Sequence, residues 1–237
     1  MRLLLSFTLA LSLLAQSELV MVSVGSSKAI TLLSHTSASG QNTTTSSSID
    51  TRGAKYIWIG LSYYFQTGNS CVITSTPSNT FTQGASYNGG TATVGVTSFY
   101  VFSPVVSATQ TFTMTGTNCY VVFNVIAFSG LFINGVVEGA NGTYSGGDTS
   151  IQTGTTGTLT NSPYEVCTTQ ISENGTITAL TIDSSFATPL DYIAYTGGVN
   201  EGGAASYKIL TANTALNPKW SWTTTSGEVA SGISCAK

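Results

Sequence analysis

The sequence contains very little charge. Asp, Glu, Lys and Arg make up 7 % of the 237 residues, against about a quarter in an ordinary globular protein. The seven Lys and Arg residues are scattered, so there is no basic stripe to neutralise nucleic-acid phosphates and no polybasic patch for a membrane surface. Aromatic residues nevertheless make up 10 %, which argues against disorder. We therefore expect a folded protein that does not bind nucleic acid.

Residues that carry catalysis or bind metals are also scarce. There is one histidine, His35, and the ten acidic residues are not clustered. The four cysteines have no CxxC spacing, which makes a zinc site improbable on sequence grounds. We predict no catalytic residue, no metal and no cofactor. Two alternatives stay open: a calcium ion near Asp148, and a glycoside-active enzyme whose paired carboxylates are brought together only by folding.

The N-terminus has the pattern of an export signal. Residues 1–17 contain one Arg, then an apolar run, then small residues suited to cleavage, as in a signal peptide. The run is short for a membrane span, so we predict none in the mature chain. The alternative is a retained apolar arm that packs on a partner subunit. Residues 18–29 form an N-terminal segment, and we expect an extracellular, cell-surface or virion-surface protein.

Cysteines and glycosylation motifs agree with export. Four cysteines allow two disulfides in three possible connectivities. Three Asn-x-Ser/Thr motifs lie in polar stretches where glycans could be attached. These candidate residues are Cys71, Cys119, Cys167 and Cys235 for disulfides, and Asn42, Asn141 and Asn174 for glycosylation.

The chain resembles itself at a shift of 108 residues. Residues 99–101 fall on 207–209, and Phe112 and Met114 fall on Trp220 and Trp222. We therefore predict two homologous halves, residues 30–135 and 138–237. This division suggests that Cys71 pairs with Cys119 and Cys167 with Cys235, although the cysteines do not occupy equivalent positions.

Short runs rich in β-branched and aromatic residues predict an all-β fold. No helical periodicity follows residue 17, and Asn-Gly pairs such as 141–142 indicate tight turns. We expect an antiparallel two-sheet β-sandwich, jelly-roll-like, with two tandem immunoglobulin-like domains as the alternative. The predicted strands cover residues 30–39, 43–50, 55–65, 71–76, 91–102, 109–115 and 119–128, then 164–171, 177–182, 204–210, 219–225 and 229–235.

Several aromatic residues are candidates for stacking on sugar rings. They are Tyr63, Tyr64, Tyr87, Trp220 and Trp222. Core packing is the favoured interpretation of the two tryptophans, because Phe112 and Met114 occupy the equivalent places. The run at 55–65 is apolar on both faces, so each face needs a cover, and another subunit is one candidate.

Three segments carry a family resemblance: residues 126–130 (IAFSG), 205–209 (ASYKI) and 217–222 (NPKWSW), the last followed by 226–228. Over about residues 30–237 the chain resembles poorly characterised β-sandwich proteins encoded in environmental bacteria and tailed phages. The resemblance implies a secreted or virion-surface module. We expect a non-catalytic structural protein that self-assembles as a filament, coat or virion decoration and mediates adhesion. The alternative is a carbohydrate-binding module.

Overall fold

The structure, a computed structural model, describes residues 29–66, 70–90, 93–130, 132, 135–160, 164–175, 177–183, 185–224 and 227–237. The predicted export signal lies outside them. Every regular element in these ranges is a β-strand, and the strands pair antiparallel. The strands are β1 (Thr31–Thr45), β2 (Tyr56–Phe65), β3 (Ser70–Thr76), β4 (Thr82–Asn88), β5 (Thr93–Phe102), β6 (Thr111–Ser129), β7 (Val137–Gly146), β8 (Ser150–Gln152), β9 (Val166–Glu173), β10 (Thr181–Ile182), β11 (Leu190–Tyr195), β12 (Glu201–Ile209), β13 (Lys219–Ser221) and β14 (Glu228–Ala236).

These strands form three sheets. The first has the order β1-β6-β2-β5-β4, with β3 added beside the N-terminal part of β6. The second has the order β11-β12-β9-β14-β7, and the third has the order β10-β13-β8. The first sheet uses residues before 130 and the other two use residues after 136. The predicted all-β antiparallel sandwich is confirmed.

The two five-stranded paths pack face to face around a shared core. Tyr56 and Trp58 of β2 lie in one buried cluster with Val166 of β9 and Ala205 of β12. The Trp58 indole Nε1–H also donates to Ser234 Oγ across the interface, at 3.2 Å. The two halves of the chain thus bury each other's inner faces.

The outer face of each five-stranded path is covered by three short strand segments. In the first sheet, Ile57 and Phe123 share a cluster with Ile73 of β3 and with Phe112 and Met114 of the early part of β6. In the second, the third sheet supplies Ile151 and Trp220, which pack with Ile171 of β9. Because β2 is covered on both faces, Tyr56 and Trp58 are buried on one side of it, and Ile57 and Ile59 are buried on the other.

The strand order is the same in the two halves. Reading the second path backwards gives β7-β14-β9-β12-β11, which matches β1-β6-β2-β5-β4 strand for strand. Adding 108 to the first residue of β4, β5 and β6 gives the first residue of β11, β12 and β13. The order is an observation of topology, whereas the homology of the halves and the jelly-roll connection stay predictions.

Strand boundaries differ from the predicted ones in specific places. The run at 30–39 and the start of the run at 43–50 join into one strand, β1, which continues past an irregularity between Gln41 and Thr43 and ends at Thr45. The runs at 109–115 and 119–128 join in the same way into β6.

The pair Asn141-Gly142 was expected to form a turn, and that prediction is wrong. Both residues lie inside β7 and pair with Ile233 and Gly232 of β14. Gly142 is required for a different reason, because a Cβ there would collide with the ring of Tyr87. The glycine thus permits a close approach between β7 and β4.

Candidate binding surfaces

One outer surface of the protein consists almost wholly of threonine. It is the solvent side of the three-stranded region made by the end of β1, the start of β6 and β3. Side chains of paired residues in antiparallel strands point to the same side, so the register places them together: Thr43 and Thr45 of β1, Thr111, Thr113, Thr115 and Thr117 of β6, and Ser70, Val72, Thr74 and Thr76 of β3. We call these ten residues the threonine face.

The alternation that builds this face is TFTMTGT at residues 111–117. Phe112 and Met114 point inward and are fully buried, and Ile73 of β3 is buried beside them. The intervening residues are therefore forced outward by the period of two. None of the ten positions is charged.

Strand β3 is also an edge strand, and it lacks the features that usually prevent an edge from pairing with another chain. It pairs with β6 alone among the described strands, and its seven pairs run without a register shift. It contains neither a charged residue nor a proline, and its Val72 is 55 % exposed.

The other described edges are blunted by devices that natural proteins use against edge pairing. The pairings of β1, β4, β7 and β11 all contain irregularities, and β10 and β8 have only two and three residues. Strand β1 also contacts β11, and β4 contacts β7. Among the described strands, β3 is thus the long, regular and uncharged edge.

A cavity of about 230 Å³ is lined by residues of β2, β4 and β5 and by Cys71 of β3. Its polar wall includes Tyr63, whose hydroxyl lies 3.1 Å from Ser86 Oγ, and Thr97, whose hydroxyl donates to the same oxygen at 2.6 Å. The remaining lining residues are Leu61, Cys71, Gln83 and Phe99. The volume is just below the range usual for small-molecule sites, so it suits one small polar molecule.

The candidate sugar-stacking aromatics separate in the structure. Trp220 and Trp222 are 0 % and 5 % exposed and lie in the core between the second and third sheets, so neither ring is open to a sugar. Tyr64 and Tyr87 pack against a small cluster around Val96. Tyr63 is the one whose side chain lines the cavity.

The three glycosylation motifs have different environments. Asn42 is exposed, has a positive φ of 61°, and accepts the Cys119 backbone N–H on its Oδ1. The Nδ2 of Asn141 donates to Thr155 O at 2.8 Å, and that of Asn174 donates to Glu228 Oε2 at 3.1 Å. A glycan is carried by Nδ2, so Asn42 has the most suitable geometry of the three.

Both disulfides lie within single halves. Cys71 is bonded to Cys119, and Cys167 is bonded to Cys235. The second bond joins directly paired residues of β9 and β14. Two disulfides are compatible with an extracellular location.

His35 forms a link between the two sheets. Its Nδ1 lies 2.7 Å from Asp191 Oδ2, which joins β1 to β11. Asp191 has a positive φ of 44° at a bulge, and its carbonyl accepts the Asn124 side-chain N–H. No serine or cysteine among the described residues hydrogen-bonds to His35. The contact between His35 and Asp191 therefore links β1 to β11. The assignment of the protein as non-enzymatic stays a prediction.

Sequence reasoning missed a group of buried acids at one end of the second sheet. Glu201 and Glu173 are both fully buried. Ser172 Oγ donates to Glu201 at 2.6 Å, and Tyr192 OH donates to Glu173 at 2.7 Å. Burial raises the pKa of Glu201 well above its ordinary value, and the charge of nearby Glu173 raises it further. Burial likewise raises the pKa of Glu173.

The next feature is the environment of Asp148, the candidate calcium-binding residue, and of the other side chains that could bind a metal ion. Asp148 accepts a hydrogen bond from Ser145 Oγ in the turn after β7. Within the described ranges, no set of three or more His, Cys, Asp or Glu side chains is arranged to hold a metal ion. Among the same residues we find no helix with the length and apolarity that crossing a bilayer requires.

Comparisons of the chain with protein-family models, with curated proteins and with solved structures found no match. The resemblance to β-sandwich proteins of environmental bacteria and tailed phages therefore stays a prediction.

Proposed function

We propose that the protein is a non-catalytic structural component of an extracellular or particle surface that associates with copies of itself and mediates adhesion. The observation that carries this proposal is the edge of β3. The strand has seven regular, uncharged residues, and the backbone donors and acceptors on its outer side pair with no other described strand, so they form a template for a further strand.

A second copy is the partner that fits this edge best. The edge has no charge, so like-charge repulsion between two copies is absent. In a symmetric antiparallel pair centred on Ile73, residue 72 lies opposite residue 74 of the other copy, and the exposed Val72 gains apolar cover. Such a contact is isologous and closes as a dimer. A filament or coat needs a second contact in addition.

The test is light scattering of the purified, oxidised protein with the double variant Val72→Lys/Thr74→Lys. Both side chains point to solvent, so the variant should fold, but it places like charges opposite each other across the proposed pair. We expect dimers or larger assemblies for the unaltered chain and monomers for the variant.

The matched control is Thr82→Lys/Thr181→Lys, which adds the same charge at exposed positions of β4 and β10. It should assemble like the unaltered chain. A monomeric unaltered chain, or equal loss of assembly in both double variants, would contradict the role of β3.

Carbohydrate binding is a second candidate, and the cavity beside Tyr63 is the observation that favours it. The lining combines hydroxyl and amide groups with Phe99, which matches the mixed polar and apolar surface of a sugar ring. The size suits a single sugar residue. A glycan array followed by calorimetry should show binding that Gln83→Ala removes and Asn42→Ala keeps. An array without any bound glycan would remove this candidate.

A further inference from the structure

The threonine face is a regular two-dimensional grid. Along a strand, outward side chains repeat about every 6.6–6.8 Å, and across strands they repeat about every 4.7–4.9 Å. Three adjacent strands supply the rows, and the register runs directly across them: Thr43, Thr115 and Val72 form one row, and Thr45, Thr113 and Thr74 form the next. Ten positions at these spacings cover roughly 320 Å².

The groups on this grid are uniform in chemistry and restricted in motion. Eight of its ten positions are threonine. Each threonine places one hydroxyl and one methyl group side by side, and β-branching restricts χ1. The face is thus ordered before any ligand arrives, which lowers the entropic cost of binding.

Most of the hydroxyls are available to a ligand. Thr45 and Thr113 share a hydrogen bond of 2.9 Å, and Thr74 donates to a backbone carbonyl at 3.3 Å. The other five threonine hydroxyls make no hydrogen bond to the described part of the chain. Donors and acceptors therefore point outward at repeated intervals, with methyl groups between them.

The ligand that suits such a face must itself be periodic, uncharged and rich in hydroxyl-like oxygen. The two repeats are close to the two repeat distances of oxygen atoms on a prism face of hexagonal ice. Crystalline polysaccharides are also periodic. Proteins commonly bind sugar rings by stacking aromatic side chains on them, however, and the threonine face has no aromatic side chain. The absence of charge also favours ice, because a strongly hydrated group such as a Lys ammonium would keep its own water shell at the surface.

We propose that the threonine face binds ice, with its hydroxyls entering the oxygen lattice and its methyl groups filling the spaces between lattice positions. This activity goes beyond self-association and does not require the β3 edge to be paired. It gives a physical reason for the Thr-x-Thr-x-Thr-x-Thr pattern of β6, since strand propensity alone would be satisfied by any mixture of β-branched and aromatic residues.

The experiment is an assay of ice recrystallisation with the oxidised protein and its Thr115→Lys variant. Thr115 is exposed and central, between Thr43 and Val72. We expect the unaltered protein to slow crystal growth and to be enriched in a growing ice front. Thr115→Lys should need about tenfold more protein for the same effect, which corresponds to about 1.4 kcal/mol.

Thr82→Lys is the matched control, because it adds the same charge to an exposed strand threonine elsewhere. It should behave like the unaltered protein, and melting curves of all three should coincide. Unchanged ice growth with the unaltered protein would overturn the proposal, as would equal losses in the two variants. Binding to insoluble cellulose or chitin that Thr115→Lys abolishes, without an effect on ice, would also overturn it and assign the face to polysaccharide.

Discussion

Replacing Glu201 by glutamine should make the protein more stable at neutral pH. Glu201 is fully buried, and one of its oxygens, Oε2, has no hydrogen-bond partner among the described residues. Its pKa is raised in the folded state by burial and by the nearby charge of Glu173. The contribution of this carboxyl group to the stability of the protein is therefore fully present below its unfolded pKa, about 4.3. That contribution is lost as the pH rises toward the folded pKa.

The size of this loss follows from linkage. Within that window, one such group lowers the free energy of unfolding by about 1.4 kcal/mol for each pH unit. Glutamine keeps an oxygen that can accept the hydrogen bond from Ser172, but it does not titrate. The Glu201→Gln variant should therefore gain stability relative to the unaltered protein as the pH rises above 5.

Urea unfolding of the oxidised protein at pH 5, 6 and 7 measures this difference. Asp50→Asn is a suitable control, because Asp50 is exposed and Arg52 lowers its pKa to about 2. The ion pair of Asp50 contributes stability that disappears only as the pH falls below the pKa of Asp in the unfolded chain. Above pH 5, the free energy of unfolding of Asp50→Asn should therefore change with pH as it does in the unaltered protein. If Glu201→Gln and the unaltered protein have the same slope, the buried-acid reasoning is refuted.

Other substitutions test the fold. Replacing Cys167 and Cys235 by alanine removes a link between residues 68 positions apart, and we expect chemical unfolding to show a loss of about 4 kcal/mol. Gly142→Ala should cost roughly 1–3 kcal/mol through overpacking against Tyr87, and Tyr87→Ala should relieve most of that cost in a double-mutant cycle. Trp220→Ala should cost roughly 3–5 kcal/mol, seen in thermal melts, and leave any sugar binding at the cavity unchanged.

The parts of the fold that sequence predicts well are the strands with apolar faces. The run at 55–65 became β2 because its alternating aromatic and aliphatic residues need burial on both sides, and the structure supplies both covers. The same pattern predicted the last part of β6. The division into two halves also predicted the disulfides Cys71–Cys119 and Cys167–Cys235, which the structure contains.

Sequence reasoning missed β4, β7, β8 and β11, and the first two of these are polar and contain glycine. Strand β7 reads VEGANGTYSG and β4 reads TQGASYN, so neither has an apolar alternation. They are strands because neighbours supply backbone partners and because glycines allow Tyr87 and Tyr144 to pack closely. Such tertiary contacts override local preference and leave no periodic signal.

The candidate surfaces were partly visible in the sequence. The alternation TFTMTGT can be read as an outward row of threonines, but joining it to Thr43 and Thr74 requires the register of three strands. The exposed edge of β3 and the proximity of Glu173 and Glu201 are also products of topology. Trp220 and Trp222 are buried, which agrees with the core packing that the sequence favoured for them over sugar stacking.

Association through the β3 edge can be measured by amide hydrogen exchange of the unaltered, oxidised protein over a range of concentrations. If copies pair through β3, the amides of residues 70–76 become slower to exchange as concentration rises, while those of 82–88 in β4 do not change. Exchange in 70–76 that is independent of concentration, together with a monomeric mass, would contradict association through this edge.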